Sequence, residues 1–132
     1  MPVRSWVIVL ALLCFGRLVY GNEVSILGAS FRLSGSGAWD VSVTLRHEDA
    51  GWDHYADAWR IVSGDGAVLG TRTLYHPHEN EQPFTRSLSG IAIPPATRVV
   101  FVEAHDKVHG WSTQRLRVDL ARAEAGRLDV KP

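Results

Sequence analysis

From Val24 onward the chain alternates apolar and polar residues in short runs, and no apolar stripe recurs at helical spacing. Val24 to Leu33 is the first expected strand, and Ser34-Gly35-Ser36-Gly37 is its turn. Trp39, Val41, Val43 and Leu45 then alternate with Asp40, Ser42, Thr44 and Arg46, the pattern of a half-buried strand. HEDAGWDH breaks the alternation. Tyr55 to Ser63 carries Trp59 and Ile61 on one face, and Gly64-Asp65-Gly66 is a hairpin signal into Val68 to Tyr75. HPHENEQP interrupts a second time before Phe84 to Ile93. A stiff Pro94-Pro95 connection leads into Arg98 to His105, whose VVFV reads as a strand buried on both faces. After a loop over 106–111, Leu116, Val118 and Leu120 alternate with charges along the last run, 112–120. These runs predict a seven-stranded antiparallel β-sandwich over residues 22–120, followed by a mixed-charge tail, 121–132, expected to be flexible.

The first 21 residues follow a different rule. Arg4 precedes the apolar run WVIVLALLCF, and small residues follow at cleavage positions, which predicts a secretory signal peptide cut after Gly21 or Gly16. The run falls short of the roughly 20 apolar residues that span a bilayer, so no membrane span is expected after cleavage. Leu13, just before Cys14, is bulkier than lipid attachment at that cysteine normally accepts. The expected destination is the periplasm or the exterior.

Losing the leader changes the chemistry on offer. Cys14 is the only cysteine, so the remaining chain has neither a disulfide nor a thiolate ligand. Of 14 basic residues, Arg4 and Arg17 leave with the leader, which puts two fewer bases than acids in the remainder. A chain so near neutrality carries no footprint for nucleic acid or an anionic membrane surface. Around 110 residues suffice for one domain held by its core alone.

Trp59 on the third strand resembles the core tryptophan of immunoglobulin-like domains, and IPPATRVVFVEA resembles the connection into the sixth strand of fibronectin type III modules. The cysteine pair of true immunoglobulin domains is absent. GWDHYADAW, HPHENEQPFTRS and VHGW together resemble a group of small exported bacterial proteins of unassigned activity. The resemblance implies a fold and an address, and no chemistry.

Strand parity says where the six histidines go. In an antiparallel sandwich the loops alternate between two ends, so 34–37, 64–66 and 93–97 share one end and 47–54, 76–83 and 105–111 share the other. All six histidines lie in or beside the second set, with Glu48, Asp49, Asp53, Glu79, Glu81 and Asp106. Imidazole and carboxylate without sulfur suit Zn or Cu(II), and disfavour Cu(I). In an extended His76-Pro77-His78 both imidazoles lie on one face. The expected ligands are His54, His76, His78 and His109 with Asp53 or Asp106, and His47, His105, Glu79 and Glu81 are further candidates. His47 also continues the buried alternation of Leu45, which makes it equally a hydrogen-bonded residue at the core's edge.

Other readings compete at the same end. Carboxylates with Asn80 suit Ca²⁺, although so many imidazoles do not. Trp52 and Trp111 are candidate platforms for a protein or glycan partner, or caps on the core. No Gly-x-Ser-x-Gly elbow, phosphate-cradling glycine loop or cysteine nucleophile marks an enzyme. The sequence therefore points to a metal-binding accessory or carrier protein, with a metal-free binding module as the alternative.

Overall fold

The computed structural model describes residues 22–132; the expected signal peptide lies outside them. Nine strands form in chain order: β1 (Ser25–Leu33), β2 (Trp39–Arg46), β3 (Ala56–Ser63), β4 (Val68–Thr73), β5 (Phe84–Ile91), β6 (Val99–Asp106), β7 (Gly110–Trp111), β8 (Leu116–Asp119) and β9 (Arg127–Val130). One sheet has the order β5-β2-β1-β9. The other runs β4-β3-β6, and β6 continues onto both β7 and β8. All pairings are antiparallel, and the two sheets pack as a sandwich.

Two strands exceed the seven expected. The β6–β8 connection contributes the two-residue β7, and the tail contributes β9. Within residues 121–132, expected to be a flexible tail, the 3-10 turn over Leu120–Arg122 leads to β9, which pairs Arg127–Val130 with Ala29–Arg32 of β1. Leu128 and Val130 pack against the core, and Ser30 Oγ donates to Asp129 on the outer face. Apolar contact and strand pairing together hold a segment that its own charges do not. No helix among the described residues is long and apolar enough to cross a membrane.

Period-two alternation builds the interior. Val41, Val43 and Leu45, with Phe31 beside Val41 in the same sheet, face Ile61, Val100, Val102 and Val118, all essentially buried, with Trp59 fully buried among them. The outward faces are polar: Ser42 pairs with Ser87 and Thr44 with Thr85 through their hydroxyls at 2.6 and 2.7 Å. At the β1 bulge between Ile26 and Gly28, the Gln114 side chain acts as a strand partner. It accepts from Ile26 N (2.7 Å) and donates to Ile26 O (2.9 Å).

Gly70 marks where β4 closes over β5. A Cβ there would lie 3.2 Å from Ile91 Cγ1 and 3.3 Å from Leu88 Cδ2. A mid-strand glycine is normally unfavourable, so alanine would ordinarily stabilise. Here the close approach reverses the sign: Gly70→Ala is expected to cost about 1–3 kcal/mol by overpacking. Urea unfolding of the variant reads this directly, and a stabilised variant would show that the two strands have room to part.

The connections 47–55, 74–83 and 107–109 all meet at one end of the sandwich, as strand parity requires. At the other end an apolar hollow of about 580 Å³ is lined by Trp39, Pro94, Pro95 and Leu120. Its one charged lining residue, Arg98, is held bidentately by Asp119 (3.2 and 3.1 Å).

Candidate metal centre

The alternation that builds the core also aims the polar side chains at the loop end. On β6, Val100, Val102, Ala104 and Asp106 point inward, while Phe101, Glu103 and His105 point out. On β2 the inward series Val41, Val43, Leu45 runs on into His47. Asp106 and His47 are thus delivered to the interior end of the sandwich, where His54 meets them. The ligand atoms of His47, His54 and Asp106 all lie within 4.8 Å of one another.

His47 is fixed on both nitrogens. Nε2 donates to the Asn22 carbonyl (2.7 Å), and Nδ1 faces Asp49 Oδ1 at 2.5 Å. A carboxylate on Nδ1 is how metal-binding histidines are commonly oriented, but here Nε2 is itself taken up by the Asn22 carbonyl. The His54 ring stands edge-on to His47, centroids 4.8 Å apart. Its Nε2 is covered from solvent and lies 3.3 Å from Asp106 Oδ1, yet without the alignment of a hydrogen bond. We regard it as unpartnered, because proximity without direction contributes little.

Asp106 is fully buried. Its Oδ1 accepts from the backbone amides of Val108 (2.9 Å) and His109 (2.8 Å), and His109 Nδ1 sits 3.1 and 3.2 Å from its two oxygens. Burial is the largest influence on this carboxyl and works to raise its pKa. The two amides and the His109 imidazole together outweigh it and hold the group below the usual carboxylate range. Asp106 is therefore an anion at neutral pH, already shaped as a ligand.

Asp49 ties the loops together. Its side chain is fully buried; Oδ1 also accepts from Ala56 N (2.9 Å), and Oδ2 accepts from His78 N (2.7 Å). Gln82 adds a second tie, accepting from His47 N (3.0 Å) and donating to His78 O (2.9 Å). Glu79 Oε1 accepts from Gly51 N (2.7 Å).

His54, His109 and Asp106 of the expected set thus come together, and the cluster is completed by His47. His76 and His78 form an adjacent pair with ring centroids 4.6 Å apart, outside the three-residue group. Asp53 is exposed on its turn. Glu81 is held bidentately by Arg86 (3.1 and 3.2 Å). His105 lies on the outer face of its sheet, its Nδ1 2.5 Å from Asp57 Oδ1 and its ring edge-on to Trp111. Trp111 is half-buried beneath the Arg60 guanidinium, 3.7 Å from the ring centroid, whereas Trp52 is 65% exposed. Asp49 was absent from the expected set. Its position two residues after an inward-facing histidine, in a loop that must fold back over the core, is the signal that marks it.

His78 stacks on Phe84 (4.2 Å, 11°), with both ring nitrogens covered and without hydrogen-bond partners among the described residues. Burial, chiefly, lowers its pKa, helped by Arg86 and His76 and opposed by Asp49 and Glu81. The folded state thus disfavours the proton that the unfolded chain accepts near 6.5. As pH falls through about 6.5 toward the folded value, the unfolded state binds more protons and stability declines. His78→Phe, which keeps the stack, is expected to flatten that decline in denaturation curves between pH 7.5 and 5.5. An unchanged decline would assign it to other groups.

No family model matches the chain, and no solved structure does. It is similar to a protein of Halomicrobium mukohataei named "Putative lipoprotein", 40% identical over 98 residues. The match covers 74% of this chain, which spans about half (48%) of that relative's length.

Proposed function

We propose that this is an exported single-domain binding protein whose loop end holds one divalent transition metal ion, Zn or Cu(II), in an accessory or carrier role and not as an enzyme. The observation that carries the reading is the convergence of three donors within 4.8 Å: His47, His54 and Asp106. Four ligands about 2.0–2.2 Å from one tetrahedral zinc ion lie about 3.3–3.6 Å apart, so separations of up to 4.8 Å close by about 1 Å when the ion binds. Nitrogen with one carboxylate oxygen is a borderline donor set that favours Zn or Cu(II) over Ca²⁺.

Each ligand has its support. Asp49 orients His47, and the Val108 and His109 amides keep Asp106 ionised. His109 presents Nδ1 to Asp106 and steadies that carboxylate, which leaves the fourth position of the ion to solvent. The ion's arrival displaces the Asn22 carbonyl from His47 Nε2 and gives His54 Nε2 a partner. Export is supported by the leader pattern in residues 1–21 and by the name of the Halomicrobium relative. The order β5-β2-β1 against β4-β3-β6 supports an immunoglobulin or fibronectin type III class for the sandwich.

Metal analysis of protein purified without a histidine tag, after zinc or copper supplementation, tests the reading. About one equivalent or more with a raised melting temperature is expected, since an ion that binds only the folded state stabilises it. Substoichiometric metal with no thermal shift overturns it. The alternative, a metal-free module for a protein or glycan, then takes over, favoured by the exposed Trp52 beside the His76–Glu81 cleft.

A further inference from the structure

We propose that His76 and His78 form a second, outer site for a divalent transition metal ion, from which the inner site is loaded. The loading role rests on the inner-site reading; the outer site does not. The two imidazoles lie side by side, and Pro77 restrains the backbone between them. Their centroids are 4.6 Å apart at 43°, so a modest rotation of either ring brings two nitrogens to the roughly 3 Å separation that one ion requires. His76 is exposed and offers access. The His78 side chain is only 4% exposed, and neither of its nitrogens has a hydrogen-bond partner among the described residues. Buried imidazole nitrogens ordinarily find one.

Both rings line a cleft of about 540 Å³, and Glu79 and Glu81 on its wall raise the local concentration of cations. Glu79 is engaged by Gly51 N and Glu81 by Arg86, so the outer ion has two protein nitrogens and otherwise water. Two ligands at an open cleft give a weaker and faster site than three at a closed one. The two sites are joined through Asp49: its Oδ2 is 3.9 Å from His78 Nδ1, and its Oδ1 is 2.5 Å from His47 Nδ1. An ion released by His76 and held by His78 is thus one carboxylate and the width of the His47 ring from the inner Nε2. Transfer exchanges ligands one at a time, and the ion keeps its charge throughout.

Titration of the untagged full chain with Cu(II) tests this, read by copper stoichiometry, electron paramagnetic resonance and stopped-flow quenching of tryptophan. The wild type is expected to take two ions, one tighter than the other. His76→Ala, on the surface, is expected to abolish the weaker event and slow filling of the tighter site about tenfold, the scale of losing a supporting ligand. His78→Phe, which preserves the stack on Phe84, is expected to do the same. Two ions bound by His76→Ala overturn the outer site. A single wild-type ion that His54→Ala loses and His76→Ala keeps also overturns it and leaves the inner reading standing. A single ion with the opposite dependence overturns the inner reading and the loading role while upholding the outer site. Loss of the weaker event with an unchanged filling rate overturns loading alone.

Discussion

Asp106→Asn and His54→Ala will each weaken the tighter metal-binding event by more than about a hundredfold, because removing a ligand exceeds the 10–100-fold typical of losing a supporting group behind one. Asparagine is the stringent choice. Its oxygen still accepts from the Val108 and His109 amides, so the turn that places His109 survives while the anion is lost. His54→Ala removes a nitrogen that has no hydrogen-bond partner among the described residues, so the metal-free fold loses little by it. A hundredfold is about 2.8 kcal/mol, readily resolved by competition with a chelator of known affinity. Affinity in the wild type is also expected to fall on acidification, since each imidazole must shed its proton to bind an ion. If both variants fold and bind as tightly as the wild type, the inner cluster is a hydrogen-bonded plug and nothing more.

That plug reading deserves its physical weight, because burial is what separates the two sites in the sequence as well. The strand alternation correctly carried Val41, Val43 and Leu45 inward and made His47 the next member of the series; it is both a core-edge residue and part of the cluster. The same logic extended through Val100, Val102 and Ala104 selects Asp106 and sends His105 outward, because β6 continues one residue past the expected loop boundary. Loop residues were harder. Within HEDAGWDH only the spacing from inward-facing His47 separates Asp49, whose side chain is fully buried, from the exposed Asp53; the folded-back path of the loop does the rest. β9 was illegible for a related reason. RLDV is short and charged, and its stability comes from β1, almost a hundred residues away, not from its own pattern. Parity between loops needed no such detail, and it gathered the histidines at one end.

Trp59→Ala should separate scaffold from site by acting in the opposite sense to the ligand variants. Trp59 is completely buried at the middle of β3, between Arg72 of β4 and Ala104 of β6, with its ring in the space between the sheets. Its indole nitrogen has no partner among the described residues, so the substitution removes packing and breaks no hydrogen bond there. Truncation to alanine opens a cavity and is expected to cost about 3–5 kcal/mol. For a domain of this size that lowers the melting temperature by more than about 10 °C. β3 and β6 reach the loop end at the Ala56–Asp106 pair, three residues beyond Trp59. As long as the variant remains folded, that pairing keeps Asp106 in place, and the intrinsic metal affinity should stay within about threefold of the wild type, the usual independence of well-separated sites. Thermal and urea unfolding with and without metal measure both quantities. A loss below about 1 kcal/mol would mean that the sheets close over the cavity, and the sandwich core would then have to be centred elsewhere than on this tryptophan.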